Sequence, residues 1–278
     1  MGKFMSQALS KRANAVVTGA GSGIGRAFAL AIAEKKGSVV CADINEVSAA
    51  ETVAMIIAAG GQALAVRCDV SQLADVEALA EQAQTFFHGP VSLVINNAGV
   101  GVGGQCVGEV SMADWHWALG INLWGVIHGC HVFAPLLRAA GRGGIINVCS
   151  TASFAAAPKM APYNVSKAAA LALSETLSAE LAGSGVHVTA LCPTWVKTNI
   201  ATQGRISGPS AAMAGKMMSL FGFTPERVAA ETLKALDSHQ LYVLPQLDAR
   251  MIWRSKRWTP SLYATGAGLL HRLAGNRL

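Results

Sequence analysis

Short runs of apolar and β-branched residues alternate along the chain with longer stretches in which apolar residues recur at helical spacing. Runs of this kind, bounded by turn-forming residues, are typical of buried strands. We predict strands at residues 15–18, 38–42, 63–67, 93–96, 144–148, 187–191 and 241–244. The stretches between them predict helices at residues 25–36, 46–59, 73–87, 112–138, 163–182 and 225–236.

This alternation predicts the fold class. Strands that are apolar throughout, each followed by a helix, are typical of a parallel sheet covered by helices on both faces. With right-handed crossovers, the result is an α/β doubly wound parallel sheet (a Rossmann fold) of about seven strands. No repeat or linker interrupts the chain, so we predict one domain over residues 1–278. Residues 199–223 break the rhythm and are predicted to be a mobile insertion, and residues 250–278 an appendage.

Composition narrows the class of protein. Hydrophobic residues make up 52% of the chain and charged residues 14%, so a sizeable core is available and wholesale disorder is excluded. The six cysteines are scattered without a Cys-x-x-Cys pair, which excludes a disulfide framework or a metal site. The first twelve residues lack the apolar stretch of a signal peptide, and no uninterrupted apolar run spans a bilayer. We therefore expect a cytoplasmic protein.

The net charge of +6 is concentrated at one end of the chain. Six of the 22 basic residues and none of the acidic ones follow residue 249, so the rest of the chain is neutral and a nucleic-acid partner is not predicted. Those six are Arg250, Arg254, Lys256, Arg257, Arg272 and Arg277. They are mixed with Trp253, Trp258, Tyr263 and Leu269-Leu270. This mixture suits a membrane surface, a partner subunit or a cover over a pocket, and the sequence leaves the three open.

A glycine-rich turn joins the first predicted strand to the first helix. It runs Thr18-Gly19-Ala20-Gly21-Ser22-Gly23-Ile24-Gly25. Glycines let the backbone turn sharply and approach a pyrophosphate, whose charge is favoured at a helix N-terminus. A purely structural tight turn is the alternative, but the position between first strand and first helix favours a dinucleotide site.

Asp43 follows the second predicted strand and precedes Ile44. A carboxylate there can accept hydrogen bonds from both hydroxyls of the adenosine ribose and would repel a 2′-phosphate. A helix N-cap or turn Asp is the alternative. Because no Arg or Lys occupies the glycine turn, we predict NAD rather than NADP as cofactor.

Tyr163 and Lys167 lie four residues apart at the start of a predicted helix, and therefore on one face of it. A free phenol has a pKa of about 10. A neighbouring ammonium favours the phenolate, so this pair could exchange protons near neutral pH. On its own the spacing also fits an ordinary solvated pair.

With these residues assembled, the chain from about Asn14 to Leu244 resembles the short-chain dehydrogenase/reductase family. The matching motifs are the turn Thr18 to Gly25, Asn96-Asn97-Ala98-Gly99, Asn122 in Ile121-Asn122-Leu123, Ser150 in Asn147-Val148-Cys149-Ser150, and Tyr163 to Lys167. The resemblance implies that Ser150 polarises the substrate oxygen and that Tyr163 passes the proton. It also implies that Lys167 binds the nicotinamide ribose and lowers the Tyr pKa, and that Asn122 holds a water linking Lys167 to solvent.

The resemblance implies further cofactor contacts. Asp69 and Val70 resemble the adenine-contacting pair, and Asn96 the residue that steadies the central strand. Ala98 and Gly99 end that strand at the cofactor. Pro193, Val196 and Thr198 resemble the segment beside the carboxamide.

The chain departs from the family pattern at three positions near the site. Thr194 replaces the usual Gly after Pro193, Ser153 stands where many members have Gly, and Trp195 is bulky beside the nicotinamide end. None removes a catalytic group, so the departures bear on specificity. Two other features have simpler interpretations: His128 and His131, one turn apart, are expected to pack rather than bind metal, and Cys149 to be buried.

The insertion at 199–223 indicates the polarity of the substrate. Its large apolar residues are Met213, Met217, Met218, Leu220, Phe221 and Phe223. In the family this segment closes over substrate, which implies an apolar pocket for a lipid-like, alicyclic or steroid-like secondary alcohol or ketone. A helix packed on the core or on another subunit is the alternative.

The predicted function is thus hydride transfer between NAD(H) and a hydrophobic alcohol or ketone. A double-bond reductase is less favoured because of the short Tyr–Lys gap. The alternative from another class is a non-catalytic NAD-binding sensor, which the presence of all four family catalytic residues disfavours. By resemblance alone we expect a homo-oligomer, a tetramer or dimer, formed through residues 112–138 and 163–182.

Overall fold

The computed structural model describes residues 8–275. Residues 1–7, which begin the N-terminal segment that lacks the apolar stretch of a signal peptide, lie outside the described residues. So do residues 276–278, which include Arg277, and the side chain of Leu270. The strands are β1 Asn14–Thr18, β2 Ser38–Asp43, β3 Gln62–Arg67, β4 Leu93–Asn96, β5 Val102–Gly103, β6 Gly143–Val148, β7 Val186–Leu191, β8 Arg205–Ile206 and β9 Tyr242–Val243. The α-helices are α1 Gly23–Glu34, α2 Glu46–Ala58, α3 Leu73–Phe87, α4 Met112–Leu119, α5 Gly125–Ala139, α6 Ala152–Ala155, α7 Ala161–Glu180, α8 Gly208–Phe221, α9 Pro225–Asp237, α10 Leu247–Trp258 and α11 Pro260–Gly275.

Seven strands form one parallel sheet in the order β3-β2-β1-β4-β6-β7-β9. The predicted doubly wound sheet is confirmed, and each of its seven predicted strands ends within one residue of the observed bounds. The strand order reverses between β1 and β4. Ligands bind α/β sheets at such a reversal, outside the carboxyl ends of the strands, so the fold places the expected site there.

The sheet is buried on both faces because successive side chains of each strand point to opposite sides. In β4, Val94 belongs to the apolar layer under α3 and α5, where Phe133 packs. The next residue, Ile95, belongs to the layer under α1 and α9, where Phe28 packs. This two-sided burial explains why the strands are apolar runs rather than alternating ones.

The long helix predicted over residues 112–138 is three elements. A π-helical turn, Gly120–Trp124, separates α4 from α5. The apolar spacing did not reveal it, because one extra residue per turn hardly alters the pattern over so short a distance. Such turns occur frequently at functional sites, and this one carries Asn122.

Among the described residues, one helical stretch, Met112–Ala139, is long and apolar enough to cross a membrane by length and composition, because an 18-residue window within it has a mean hydropathy of 1.2. Asp114, Asn122 and Arg138 interrupt this stretch, so it is not the uninterrupted apolar run that the sequence lacks. Phe133 and Leu137 on this stretch are fully buried in the layer beneath the sheet. A helix that packs on a sheet meets the same criterion, so its composition is explained by the fold.

The insertion at 199–223 contains regular elements that the sequence pattern did not predict. A short 3-10 turn, Asn199–Ala201, precedes β8, which pairs with β5, and α8 follows. Arg205 anchors the segment to α4: its guanidinium forms a 2.9 Å ion pair with Asp114 and lies 4.1 Å from the centre of the Trp117 ring. The two-residue strands are too short for a period of two to be recognised.

The C-terminal appendage forms two helices, α10 and α11. Trp253 on α10 packs edge-on against Phe154, with the ring centres 5.0 Å apart, and Arg257 stacks 3.6 Å above the Trp253 ring. The basic and aromatic residues therefore serve in part to attach the appendage next to α6, which begins two residues after Ser150.

Candidate active site

The glycine turn forms the floor of the site at the N-terminus of α1. Gly19 and Gly23 have φ values of 63° and 53°, a left-handed conformation that favours glycine. The cap residue Ser22 makes no side-chain capping bond, so the first N–H groups of α1 are free to bind an anion. A Cβ on Gly25 would lie 2.1 Å from the carbonyl oxygen of Gly19, so only glycine lets helix and turn approach so closely.

Asp43 extends from the end of β2 to the rim of this turn. One of its carboxylate oxygens accepts a 2.8 Å hydrogen bond from the Gly21 N–H, and the other accepts one of 3.0 Å from the Asn45 N–H. The carboxylate is thus held in place and keeps lone pairs for further donors. Arg26, just beyond the turn, is not among the cavity-lining residues, and its guanidinium is engaged by the Gly21 carbonyl and by Glu51.

A cavity of about 850 Å³ extends from the glycine turn to Tyr163. Its volume lies within the range of ligand and cofactor sites. The predicted cofactor residues that line it are Gly19, Ser22, Gly23, Ile24, Asp43, Ile44, Asp69, Val70, Ala98, Gly99, Tyr163, Lys167, Pro193, Val196 and Thr198. The turn, the uncapped helix start and the carboxylate at its rim together fit a dinucleotide.

Four predicted cofactor residues, Thr18, Gly21, Gly25 and Asn96, do not line the cavity but support it. The Thr18 hydroxyl accepts hydrogen bonds from the N–H groups of Asn97 and Ala98, at 3.0 and 3.1 Å. Asn96 is buried and donates to the Asn147 side chain at 2.8 Å, which joins β4 to β6. Asn96 is therefore placed as a strand-joining residue and not as a cofactor contact.

Ser150 and Tyr163 meet at the inner end of the cavity. Ser150 follows the end of β6, and Tyr163 lies in the first turn of α7. Burial raises the pKa of the Tyr163 phenol, and a hydrogen bond with the Ser150 side chain acts in the opposite direction. The two hydroxyls therefore lie side by side in the wall of the cavity.

Lys167 lies one turn along α7, with its ammonium 6.0 Å from the centre of the Tyr163 ring. The side chain is 2% exposed and donates a 2.8 Å hydrogen bond to the Val148 carbonyl. Burial lowers the pKa of Lys167, since the charged form loses hydration. The strand carbonyl thus holds the cation beside the phenol.

Asn122 reaches the same region from the π-helical turn and is completely buried. Its side-chain oxygen accepts a 2.7 Å hydrogen bond from the Val100 N–H, and its nitrogen donates to the Val100 carbonyl at 2.9 Å. A Cβ on Gly99 would lie 3.1 Å from the Asn122 oxygen and 3.3 Å from the Lys167 nitrogen. Asn122 therefore positions the loop after β4 against Lys167, and its role toward a water remains a prediction.

Two of the three departures from the family pattern make specific contacts. The Ser153 hydroxyl donates to the Lys167 carbonyl at 2.7 Å and accepts a 3.3 Å bond from the Ser150 N–H. Ser153 therefore links the end of β6, which leads to Ser150, to α7, which carries Tyr163 and Lys167. The Thr194 hydroxyl donates to Asp248 at 3.1 Å, which ties the loop after β7 to α10. Sequence reasoning missed both bridges.

The outer part of the cavity is mainly apolar. It is bordered by Trp195, by Ile200, Ile206, Pro209, Met213, Ala214 and Met218 of the insertion, and by Asp248, Ile252 and Tyr263 of the appendage. The Tyr263 hydroxyl donates a 2.8 Å hydrogen bond to the Ala155 carbonyl and so fixes α11 next to α6. Of the three roles left open for the appendage, covering the pocket is the one that the structure shows.

Comparison with known proteins identifies the family. Residues 13–206 match the model of the short chain dehydrogenase family, which covers the glycine turn and all four proposed catalytic residues. The chain belongs to the short-chain dehydrogenase family.

Three relatives of this short-chain dehydrogenase illustrate how much of the chain is shared with known proteins and at what sequence identity. The probable oxidoreductase EphD of Mycobacterium tuberculosis is 37% identical over 79% of this chain, but this chain covers only 38% of its length. The 1-deoxy-11-beta-hydroxypentalenate dehydrogenase of Streptomyces exfoliatus is 35% identical, over 87% of this chain and 86% of that protein. A Burkholderia phymatum short chain dehydrogenase/reductase in complex with NAD superposes with a TM-score of 0.84 at 36% identity, over 89% of this chain and 94% of that one.

The remaining candidates of the sequence analysis have structural places in this dehydrogenase. The Nδ1 atom of His128 lies 2.8 Å from the Val70 carbonyl oxygen, and its ring stacks near Trp124. Within residues 8–275 no cluster of His, Cys, Asp and Glu could hold a metal ion. Cys149 is 2% exposed and packs in the core, as expected.

Proposed function

We propose that this short-chain dehydrogenase transfers a hydride between NAD(H) and a hydrophobic secondary alcohol or ketone, with Tyr163 as general acid and base. The observation that carries the proposal is the meeting of Tyr163, Ser150 and Lys167 at the inner end of a cavity that begins at the glycine turn. A sensor that only binds NAD would not need a buried, neighbouring set of these three groups.

The chain's residues divide the work as follows. The glycine turn, Asp43 and Lys167 would hold NAD, which supplies the hydride acceptor for oxidation and, reduced, the hydride for reduction. In oxidation, the Ser150 hydroxyl donates a hydrogen bond to the substrate oxygen, and the phenolate of Tyr163 accepts the proton of the substrate hydroxyl. In reduction, Tyr163 returns that proton to the oxygen. The Lys167 ammonium stabilises the ionised phenol in both directions.

A hydrophobic substrate is supported by the apolar outer cavity. Methionines at its border, such as Met213 and Met218, adapt to irregular apolar shapes. The relative named as a hydroxypentalenate dehydrogenase indicates that this family branch includes enzymes for such alcohols. We infer a lipid-like or alicyclic substrate, with Trp195 and Tyr263 limiting its size.

The test is a screen of purified protein for NADH formation with secondary alcohols of graded size and polarity, and for NADH consumption with the matching ketones. We expect turnover of bulky apolar alcohols and little with small polar ones, because burial of apolar surface contributes about 25 cal/mol per Å². If NADH binds but no alcohol or ketone in the series reacts, the sensor function replaces the enzymatic one.

Asp43 is expected to set the preference for NAD. Asp43→Asn keeps an acceptor for the Gly21 N–H but removes the negative charge. Because charge-assisted hydrogen bonds contribute about 1.5–3 kcal/mol, NADH binding should weaken by roughly 10- to 100-fold. NADPH binding should improve, since the repulsion of a 2′-phosphate is gone.

Titration of protein fluorescence with NADH and NADPH measures both affinities without a substrate. The matched control is Glu46→Gln, which removes an exposed charge nearby that does not line the cavity. Equal loss of affinity in the two variants would mean that general charge, and not the position of Asp43, sets the preference.

Ser153 is expected to act as a positioning residue. Ser153→Ala removes the bridge between Ser150 and the Lys167 carbonyl, so the two reactive groups are held less firmly. A hydrogen bond contributes about 0.5–1.5 kcal/mol, so kcat should fall roughly two- to tenfold with little change in NADH affinity. Steady-state kinetics with the best substrate of the screen checks this. Ser238→Ala, which removes a similar hydroxyl-to-carbonyl bond at the exposed end of α9, should leave kcat unchanged.

We further infer that the protein is a homo-oligomer. Members of the family are generally oligomeric, and this chain exposes Met112, Trp124 and Val165 on α4, the π-helical turn and α7. Exposed apolar residues on neighbouring elements are typical of a subunit interface. The cytoplasmic location stays a prediction.

A further inference from the structure

Helix α10 carries an apolar stripe on the side that faces away from the core. Leu247, Met251 and Trp258 lie at spacings of four and seven residues, which places them on one face of the helix. Trp258 is 86% exposed. The opposite face holds Ala249, which is buried, and Trp253, which packs on α6. The stripe therefore plays no part in holding α10 on the domain.

Helix α11 repeats the arrangement. Leu262, Leu269 and Leu273 lie at spacings of seven and four residues and are all exposed. Attachment of α11 to the domain comes from Tyr263, whose hydroxyl binds the Ala155 carbonyl. Two consecutive helices thus expose leucines, a methionine and a tryptophan to solvent. Single exposed apolar residues are common on protein surfaces, but a group of this kind usually marks an interaction site.

The apolar exterior continues to the substrate cavity. On α8, Met213, Leu220 and Phe221 are exposed, and no residue of this helix is buried. Met213 also borders the cavity, as do Ile252 of α10 and Tyr263 of α11. Helices with exposed apolar residues therefore border the cavity that we propose for the alcohol.

The charges of α10 and α11 indicate what the face binds. The two helices contain Arg250, Arg254, Lys256, Arg257 and Arg272 but a single acidic residue, Asp248. By helical spacing, Arg250 and Arg254 flank the stripe of α10. Apolar residues on one helix face with cations beside them are typical of helices that lie in the interface of an anionic membrane.

We propose that the exposed apolar sides of α10 and α11 dock on an anionic lipid bilayer, which holds the cavity that these helices border close to the lipid surface. The docking does not rest on the proposed function; delivery of a substrate from the lipid to the cavity does. A second copy of the chain fits the face less well. A twofold contact through this face would bring the cations of one copy close to those of the other, and Asp248 is the single acidic residue on the two helices to offset them.

The experiment measures binding of the full chain to vesicles by co-sedimentation. Vesicles of phosphatidylcholine alone are compared with vesicles that contain about one third phosphatidylglycerol, an anionic lipid. We expect at least about tenfold stronger binding to the anionic vesicles, and a marked loss of it at high salt, because surface charges are screened.

Two sets of variants separate the contributions. Met251→Gln with Trp258→Gln removes two of the three residues of the α10 stripe, and Arg254→Gln with Arg272→Gln removes two cations. Each pair should weaken binding by about tenfold. None of these residues lines the cavity. Ile57→Gln, an exposed apolar residue on α2 away from the cavity, is the matched control and should bind as the parent does.

Sedimentation velocity and thermal unfolding of every variant complete the test. Parent protein that binds neither kind of vesicle while it turns over alcohols overturns docking and leaves the enzyme intact. Vesicle binding without turnover overturns the proposed function and leaves docking intact. Variants of the α10 stripe that fold but dissociate into smaller species would assign the face to a subunit interface, against the proposal.

Discussion

Replacing Tyr163 by Phe should reduce kcat by roughly 10²- to 10⁴-fold, the range expected when a general acid and base is removed. The phenyl ring keeps the volume and the packing in the first turn of α7, so the fold and the cavity should persist. The hydroxyl that meets Ser150 is the sole loss. NADH affinity, measured by fluorescence titration, should change little, because the phenyl ring keeps its place in the cavity wall and the glycine turn and Asp43 are untouched.

The pH profile of the parent enzyme tests the same assignment. Oxidation needs Tyr163 ionised, and reduction needs it protonated. Since burial raises the pKa of Tyr163, the rate of oxidation should rise as the pH rises, while the rate of reduction falls. Ser150→Ala removes the hydrogen bond that opposes this shift, so its oxidation profile should move to higher pH.

Tyr242→Phe is the matched control for the tyrosine substitution. Its hydroxyl donates a 2.7 Å bond to Glu175, and it does not line the cavity. The control should retain kcat even if it loses some stability. Comparable activity of Tyr163→Phe and the parent would contradict the assignment of the proton donor, and a common loss in both tyrosine variants would indicate a structural effect instead.

The sheet could be predicted from the sequence because its strands are buried on both faces, which leaves uninterrupted apolar runs such as Val94 and Ile95 in β4. The appendage could not. Helices α10 and α11 follow the last strand of the sheet, so the alternation of strands and helices that predicted the rest of the fold does not extend to them. The π-helical turn around Asn122 was missed because it preserves the helical rhythm on either side.

The cofactor half of the site follows local sequence, and the substrate half does not. The glycine turn and Asp43 are set by adjacent strand ends, so motif and order suffice to place them. Ser153, Ile252 and Tyr263 come to the site through contacts between elements distant in sequence, such as the bond from Tyr263 to Ala155. Asn96 joins two strands beneath the cavity, which agrees with the strand-steadying role that the motif implied but not with a direct contact to the cofactor.

Replacing Gly25 by Ala should abolish tight NADH binding and destabilise the protein. The new methyl group would lie 2.1 Å from the Gly19 carbonyl oxygen and 2.5 Å from the Asn97 side-chain nitrogen. Neither atom can move away at low energetic cost, because the Gly19 oxygen belongs to the backbone and the Asn97 nitrogen donates to the Thr18 carbonyl at 2.8 Å. Overpacking of this kind costs about 1–3 kcal/mol or more, and it would displace the turn from the start of α1.

Gly215→Ala is the matched control, because a Cβ at Gly215 meets nothing within 4 Å and the residue lies inside α8. Alanine in a helix interior should stabilise the protein by about 0.5–1 kcal/mol, so the two Gly→Ala changes should shift the free energy of unfolding in opposite directions. Urea unfolding and NADH titration measure both effects. Normal NADH affinity in Gly25→Ala would mean that the pyrophosphate does not depend on the close approach of turn and helix, and the cofactor would then have to be held elsewhere in the cavity.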